Sequence, residues 1–314
     1  MEPPPPGYPA DYPPPPPPPA PEPDASAYFY APPAAPRPSR SSSTLGTVIA
    51  GISIVALLVV IAATYGVVGY YSASSRLTNA NRALQATVDH RGAFDKAPIG
   101  FGADASDAKT MQSNAAAFVK TWQGQMATVE TDDQALASAA KALGQQQWLT
   151  VIRRGNMDSA SNRITHARRA LDAARTIAAA RVKEGQFQQA LADAINDFDT
   201  LGTDAQNSDF SGAVTAATKM QTDAGRALTL TADKQFPSEL HDYMAAVQTL
   251  ASDFVNYLTA EKQGDKATAK SLIDKANTDL NALQSYDITA IGDKIDLYYQ
   301  PYMDTYHSEL EKAS

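Results

Sequence analysis

The sequence contains no cysteine. That absence excludes disulfides, thiolate metal sites and thiol nucleophiles. It assigns no compartment, because a helical domain needs no disulfide. Proline is scarce after the first 38 residues: 18 of the 21 prolines lie within Pro3–Pro38, so helix breakers are few beyond them. No charged residue occurs between Arg40 and Arg76. No stretch alternates apolar and polar residues with β-branched enrichment, which argues against a sheet. Phosphate loops, GxSxG, HExxH and glycine-rich dinucleotide motifs are all missing. The net charge of −8 lacks the basic excess that nucleic acid demands, so no nucleic-acid partner is expected.

What is present begins with an apolar run. Residues 45–71 read LGTVIAGISIVALLVVIAATYGVVGYY. As a helix, residues 45–69 would span about 37 Å, against a hydrocarbon core of about 30 Å. The run predicts a single transmembrane helix over 45–71, with the lipid bilayer as its partner. A cleaved signal peptide has a shorter apolar run and a shorter leader, so an uncleaved signal anchor fits better. Gly46/Ala50 and Ala62/Gly66 have the small-xxx-small spacing that lets helices approach, which offers a route to a homo-oligomer through the membrane helix. Tyr65, Tyr70 and Tyr71 suit an aromatic belt at the interface.

Residues 1–44 form a Pro-rich tail. Runs such as Pro13–Pro19 favour polyproline II, and few aliphatic residues are present to build a core, so this tail is expected to be disordered. It reads as a spacer. Tyr8, Tyr12, Tyr28 and Tyr30, interleaved with prolines, give the alternative of a strip that docks a protein partner. Arg37 and Arg40 flank the span on the tail side, against Arg76, Arg82 and Arg91 beyond it. The charge count alone does not orient the chain. A cytoplasmic tail is still expected, because a long following domain can translocate despite its charges. The chain is then a single-pass protein of the cell membrane with an extracytoplasmic C-terminal domain.

Residues 72–314 show helical periodicity in segment after segment. Leu77, Ala80, Leu84 and Val88 share a face that continues the membrane helix. Arg91–Asp104, with three glycines and a proline, reads as a loop. Phe118, Trp122, Met126 and Val129 follow 3-4 spacing. Thr131 and Gln134 resemble a capping box and predict a new helix start, with Asp132 and Asp133 in its first turn. Gly155–Asn156 predicts a break. Ala160, Ile164, Ala167, Leu171, Ala174 and Ala178 form one stripe, and Phe187, Leu191, Ala194 and Phe198 another. Further stripes run over 210–228, 240–258, 269–283 and 288–302, with Pro237 at a helix start and Pro301 inside the last helix. The fold class is therefore all-α: after the tail and the span, an elongated antiparallel bundle of about eight or nine helices, packed at shallow angles in the coiled-coil manner. Whether residues 72–314 form one bundle or two stays open.

Three corners recur: Gly185-Gln186-Phe187, Ser208-Asp209-Phe210 and Gly264-Asp265-Lys266. Each precedes an alanine and an apolar run, with Gly suited to end a helix and Asp to cap the next. The pattern resembles the corner of helical-hairpin repeats such as tetratricopeptide units, over a few residues each. The spacing is uneven and fits no fixed 34-residue period.

Chemistry is sparse. His90, His166, His241 and His307 lie on different segments. Asp304, His307 and Glu311 could share a face, but no second carboxylate-x-x-His motif completes a di-metal set. No catalytic, cofactor-binding or metal residue is assigned, and no cofactor is expected. Asp197 and Asp199 are expected to face solvent. Tyr299, Tyr302 and Tyr306 share a face that packs the last helix onto the bundle, and Trp122 and Trp148 are expected in or near the core. Together these features lead to a non-enzymatic, membrane-anchored interaction or scaffold protein of the cell envelope. The alternative is an extracytoplasmic ligand-sensing bundle that signals through a partner of the Pro-rich tail.

Overall fold

A computed structural model describes residues 44–98, 107–145 and 153–314, with backbone alone at 44–58 and 61. The expectations for the Pro-rich tail, Trp148 and most of the apolar run lie outside the described side chains. Among the described residues, no helix is long and apolar enough to cross a membrane. Packing divides the chain into Met1–Val55 and Ala56–Ser314. In the first unit only the helical backbone from Thr44 onward is described. The second unit holds every core cluster discussed below.

All secondary structure among the described residues is helical, in seven helices: α1 (Thr44–Asp95), α2 (Ala108–Gly144), α3 (Arg154–Gln206), α4 (Phe210–Leu230), α5 (Ser238–Gln263), α6 (Lys266–Leu283) and α7 (Ile288–Ala313). The all-α reading holds, but the count falls short of eight or nine because two expected breaks are continuous helix. Thr131 caps nothing; its hydroxyl donates back to the Ala127 carbonyl at 2.8 Å inside α2. The buried stripe Phe118, Trp122, Val129, Leu136, Ala139 passes straight through that position, and packing overrides the local capping signal. Gly185 likewise ends no helix. It lies inside α3, where a Cβ would meet Val119 Cγ2 at 2.5 Å, so glycine there serves close approach of α2 and α3. The expected loop from Arg91 is also partly helix: α1 runs to Asp95, and Phe94 is buried.

The other corners behave as their residues dictate. Gly264 adopts φ 77°, its N–H reaches Glu261 O at 3.1 Å, and Asp265 N–H reaches Ala260 O at 3.0 Å. This is a Schellman ending. Asp265 then caps α6 by accepting from the Thr268 N–H at 3.1 Å. Ser208, with φ 58°, plays the glycine part at the end of α3, and Asp209 caps α4 through the Gly212 N–H at 2.9 Å. Asp107 and Asp287 cap α2 and α7 in the same way.

The cores follow from α3, which at 53 residues is about 80 Å long and carries two successive clusters. Its first half packs with α1, α2 and the end of α7 around Leu84, Trp122, Leu136, Ile164, Ile177 and Leu310. Its second half packs with α4, α5 and Ile291 of α7 around Phe187, Met220, Phe236 and Met244. A smaller cluster of Leu201, Ala213, Ala217 and Leu258 lies further along α3, α4 and α5. Alanine fills many contacts, which draws the helices close but stabilises less per residue than leucine would. Tyr299 and Tyr306 are buried, as their spacing predicts, and so is Trp122.

Candidate functional site

Two ionisable side chains lie within the first core. Arg181 is 3% exposed and Glu184 6%, one turn apart on α3. Their position has a sequence logic: Leu171, Ala174 and Ala178 set a 3-4 stripe whose next steps are 181 and 185. The stripe therefore carries an arginine into the core. Its charge is met in three ways. Arg181 Nη1 donates to Glu184 Oε2 at 2.7 Å. The guanidinium carbon stands 3.7 Å from the centroid of the Tyr299 ring, a cation–π stack. Nη2 lies 3.6 Å from Asp296 Oδ1. Tyr299 in turn donates its hydroxyl to Glu184 Oε2 at 3.0 Å. Burial pushes the Glu184 carboxyl up, opposed by the charge and hydrogen bond of Arg181 and by Tyr299. Burial, reinforced by the Glu184 charge, holds the Tyr299 hydroxyl neutral far above its ordinary range.

Above this network lies a cavity of about 370 Å³, bounded by α1, α2, α3 and α7. Its floor is Phe94, Trp122, Ile177, Arg181 and Tyr299. Its rim carries Asp95, Asp296, Asp304, Gln300 and His307. Phe94 meets Trp122 edge-on at 5.4 Å, and the Trp122 indole donates to Pro98 O at 3.0 Å, so the aromatic floor is held from two sides. The volume falls in the range of small-molecule sites, and the mixture of aromatic floor and polar rim is what such sites use. No nucleophile with an adjacent base is part of it. The arrangement can bind and orient a small molecule.

A second hollow of about 500 Å³ is polar, lined by Gln112, Gln186, Gln189, Asp193 and Arg226. Asp193 accepts from Gln112 at 2.6 Å and pairs with Arg226, so its charge is already neutralised.

The four histidines stay separate. His90 pairs with Asp132 at 2.8 Å, His166 with Glu309 at 2.8 Å, His241 with the Thr231 hydroxyl at 3.0 Å, and His307 with Asp95 at 3.0 Å. Asp304 does not join His307; it accepts from Gln300 at 2.9 Å. Among the described residues no three His, Asp or Glu side chains are grouped to hold a metal ion. Asp132 and Asp133 sit in the middle of α2, not in a first turn. Asp132 is buried, and Asp133 is held down by hydrogen bonds and charge from Arg168 and Arg175. Asp197 is a further correction. It is half-buried and shares a hydrogen bond with Asp223 of α4; burial and that neighbour push its carboxyl up to about 6.

Arg181 and Glu184 escape a reading confined to apolar stripes, although the charge falling on such a stripe is their signal. The cavity has no local signal, since Asp95 and His307 meet across 212 residues of sequence. No family model matches the chain, and neither a curated protein nor a solved structure matches it.

Proposed function

We propose that this is a single-pass, membrane-anchored, non-enzymatic interaction or scaffold protein of the cell envelope, with its helical body on the extracytoplasmic side. One observation carries the reading: α1 runs as one helix from Thr44 to Asp95, from the charge-free stretch into the buried face of Ala73, Leu77, Ala80 and Leu84. Where side chains are described within the run, Val59, Val60, Val67, Val68 and Tyr71 are exposed, while the same helix buries its apolar face one turn later. Exposed valines in a row are costly in water and at home in lipid. Protease treatment of intact cells carrying a C-terminal tag tests this. Loss of the tag together with carbonate-resistant membrane association is expected. Protection of the tag reverses the orientation, and release by carbonate removes the anchor.

A second reading, ligand sensing, draws support from the cavity. α1 contributes Phe94 and Asp95 to it, so an occupant would touch the same helix that carries the apolar run. Output would pass through a partner of the Pro-rich tail. A small-molecule library screened by thermal shift against the detergent-solubilised chain tests it, because a ligand bound to the folded state raises stability. A stabilising hit whose effect is lost in Asp296→Asn supports sensing, and a screen without hits counts against it.

A further inference from the structure

A cleft between α1 and α3 combines positive charge with neutral donors and has no carboxylate in its lining. Its volume is about 320 Å³. α1 supplies Ser74 and Thr78; α3 and the residue before it supply Arg153, Asn156, Ser159 and Arg163, over an apolar floor of Leu77 and Ala160. In a chain of net charge −8 that composition stands out. Arg153 and Arg163 have no carboxylate partner among the described residues. Arg163 donates to the Ala313 carbonyl at 2.8 Å and contacts Asn81 at 3.5 Å. Arg153 donates to the Tyr70 hydroxyl at 2.7 Å, with its guanidinium 4.4 Å from the centre of that ring. Among the described residues both side chains are thus positioned by neutral groups and paired with no carboxylate. Hydroxyls, amides and guanidinium groups converging without an acid form the donor set for a phosphate.

The source of that phosphate follows from position along α1. Tyr71 is exposed and ends the apolar run. At 1.5 Å per residue, Ser74 stands about 5 Å and Thr78 about 10 Å further along the axis. The headgroup layer adds about 5–7 Å on each side of the hydrocarbon core. With Tyr70 and Tyr71 at the interface, the mouth of the cleft lies at headgroup depth. Arg153, stacked on Tyr70, ties the start of α3 to that level. We infer that this cleft holds the phosphate of an anionic membrane lipid, fixing the helical body against the bilayer surface. The inference rests on the anchored reading above and specifies one of its contacts.

The test uses the full-length chain in nanodiscs of equal parts phosphatidylglycerol and phosphatidylcholine. Lipids retained after transfer to detergent are counted by native mass spectrometry. Wild type is expected to retain phosphatidylglycerol over phosphatidylcholine by roughly thirtyfold, as two basic groups near an anionic surface warrant. The double variant N156D/S159D places carboxylates at exposed positions early in α3, where they suit the helix dipole and spare the fold. It is expected to bring the ratio near unity, and R153Q/R163Q to lower it in the same direction. A wild-type ratio near unity, or full enrichment in N156D/S159D, overturns the inference. Displacement of the retained lipid by inorganic phosphate at equal concentration assigns the cleft to free phosphate and overturns the lipid source. Flotation with pure phosphatidylcholine liposomes reads the anchor separately. A chain that floats without lipid preference keeps the anchor and loses the cleft, whereas a chain that never floats loses the anchor itself.

Discussion

Arg181 and Glu184 show how one residue governs another when both are buried. Removing the cation leaves the Glu184 carboxyl in the core with only the Tyr299 hydroxyl to serve it, and burial pushes it up further. Arg181→Met is therefore expected to cost about 3–5 kcal/mol, the range for breaking a buried pair. The double change Arg181→Met with Glu184→Leu removes both charges and should recover much of that loss, since a buried pair exchanged for apolar side chains is often near neutral. Urea denaturation of the four species closes the cycle. Additive costs would mean that the pair is not coupled. Two glycines make a second contrast. At Gly185 an added methyl meets Val119 Cγ2 at 2.5 Å, a branched side chain with little room to turn. At Gly225 it meets only the Gln248 Nε2 at 2.7 Å, the end of a flexible chain. Gly185→Ala should destabilise by about 1–3 kcal/mol through overpacking. Gly225→Ala should stabilise by about 0.5–1 kcal/mol through helix propensity. Thermal melts that rank the two the other way would refute the crossing geometry.

At the scale of helices, apolar spacing was the dependable guide and local punctuation the poor one. The stripes of α3, α4 and α5 read directly from Ala167, Leu171, Ala174, then Ala213, Ala217, Met220, then Met244, Val247, Ala251, and all of these are buried. Thr131 with Gln134 has the letters of a capping box but sits between Val129 and Leu136, two members of one stripe. Phe94 was hidden by the glycines and proline around it, although it anchors the aromatic floor. Composition describes a loop; only the partner helix reveals that its phenylalanine is inside. The corners were legible where the backbone itself needs a special residue. Gly264 satisfies a left-handed φ that Ser208 meets at a cost, because a Cβ crowds the carbonyl there. Ser208→Gly should therefore stabilise by about 1 kcal/mol, read as a rise in the denaturation midpoint at unchanged slope. No change would mean that the Ser208 side chain offsets its own strain.

Across residues 56–314, two carboxylates that titrate in opposite senses, one on α3 and one on α7 against it, meet that long helix at different places, and pH should act on them unequally. Glu309 of α7 receives hydrogen bonds from Lys312 at 2.5 Å and from His166 of α3 at 2.8 Å. They hold its carboxyl down to about 2, below the ordinary glutamate value of 4.5. Its contribution is fully present above pH 4.5 and is lost as pH falls from 4.5 towards 2. Asp197 of α3 faces Asp223, with Lys219 and Asp193 nearby, and is held up to about 6 against an ordinary 3.8. The folded state there binds its proton more tightly than the unfolded chain does. Stability is therefore gained as pH falls from 6 to 3.8 and lost again as it rises. Between pH 7.5 and 5 the α3–α4 contact at Asp197 should tighten, while at the α3–α7 contact the Glu309 carboxyl itself does not titrate. Below pH 4.5 the second contact should loosen. Hydrogen exchange of the full chain, corrected for intrinsic rates, reads both in one experiment. Protection in α4 is expected to rise on mild acidification and to become insensitive to pH in Asp197→Asn. Protection at the end of α7 is expected to fall as pH drops below 4.5. If both regions lost protection together from pH 7 downward, the first and second cores would be one cooperative unit, and local charge would not distinguish them.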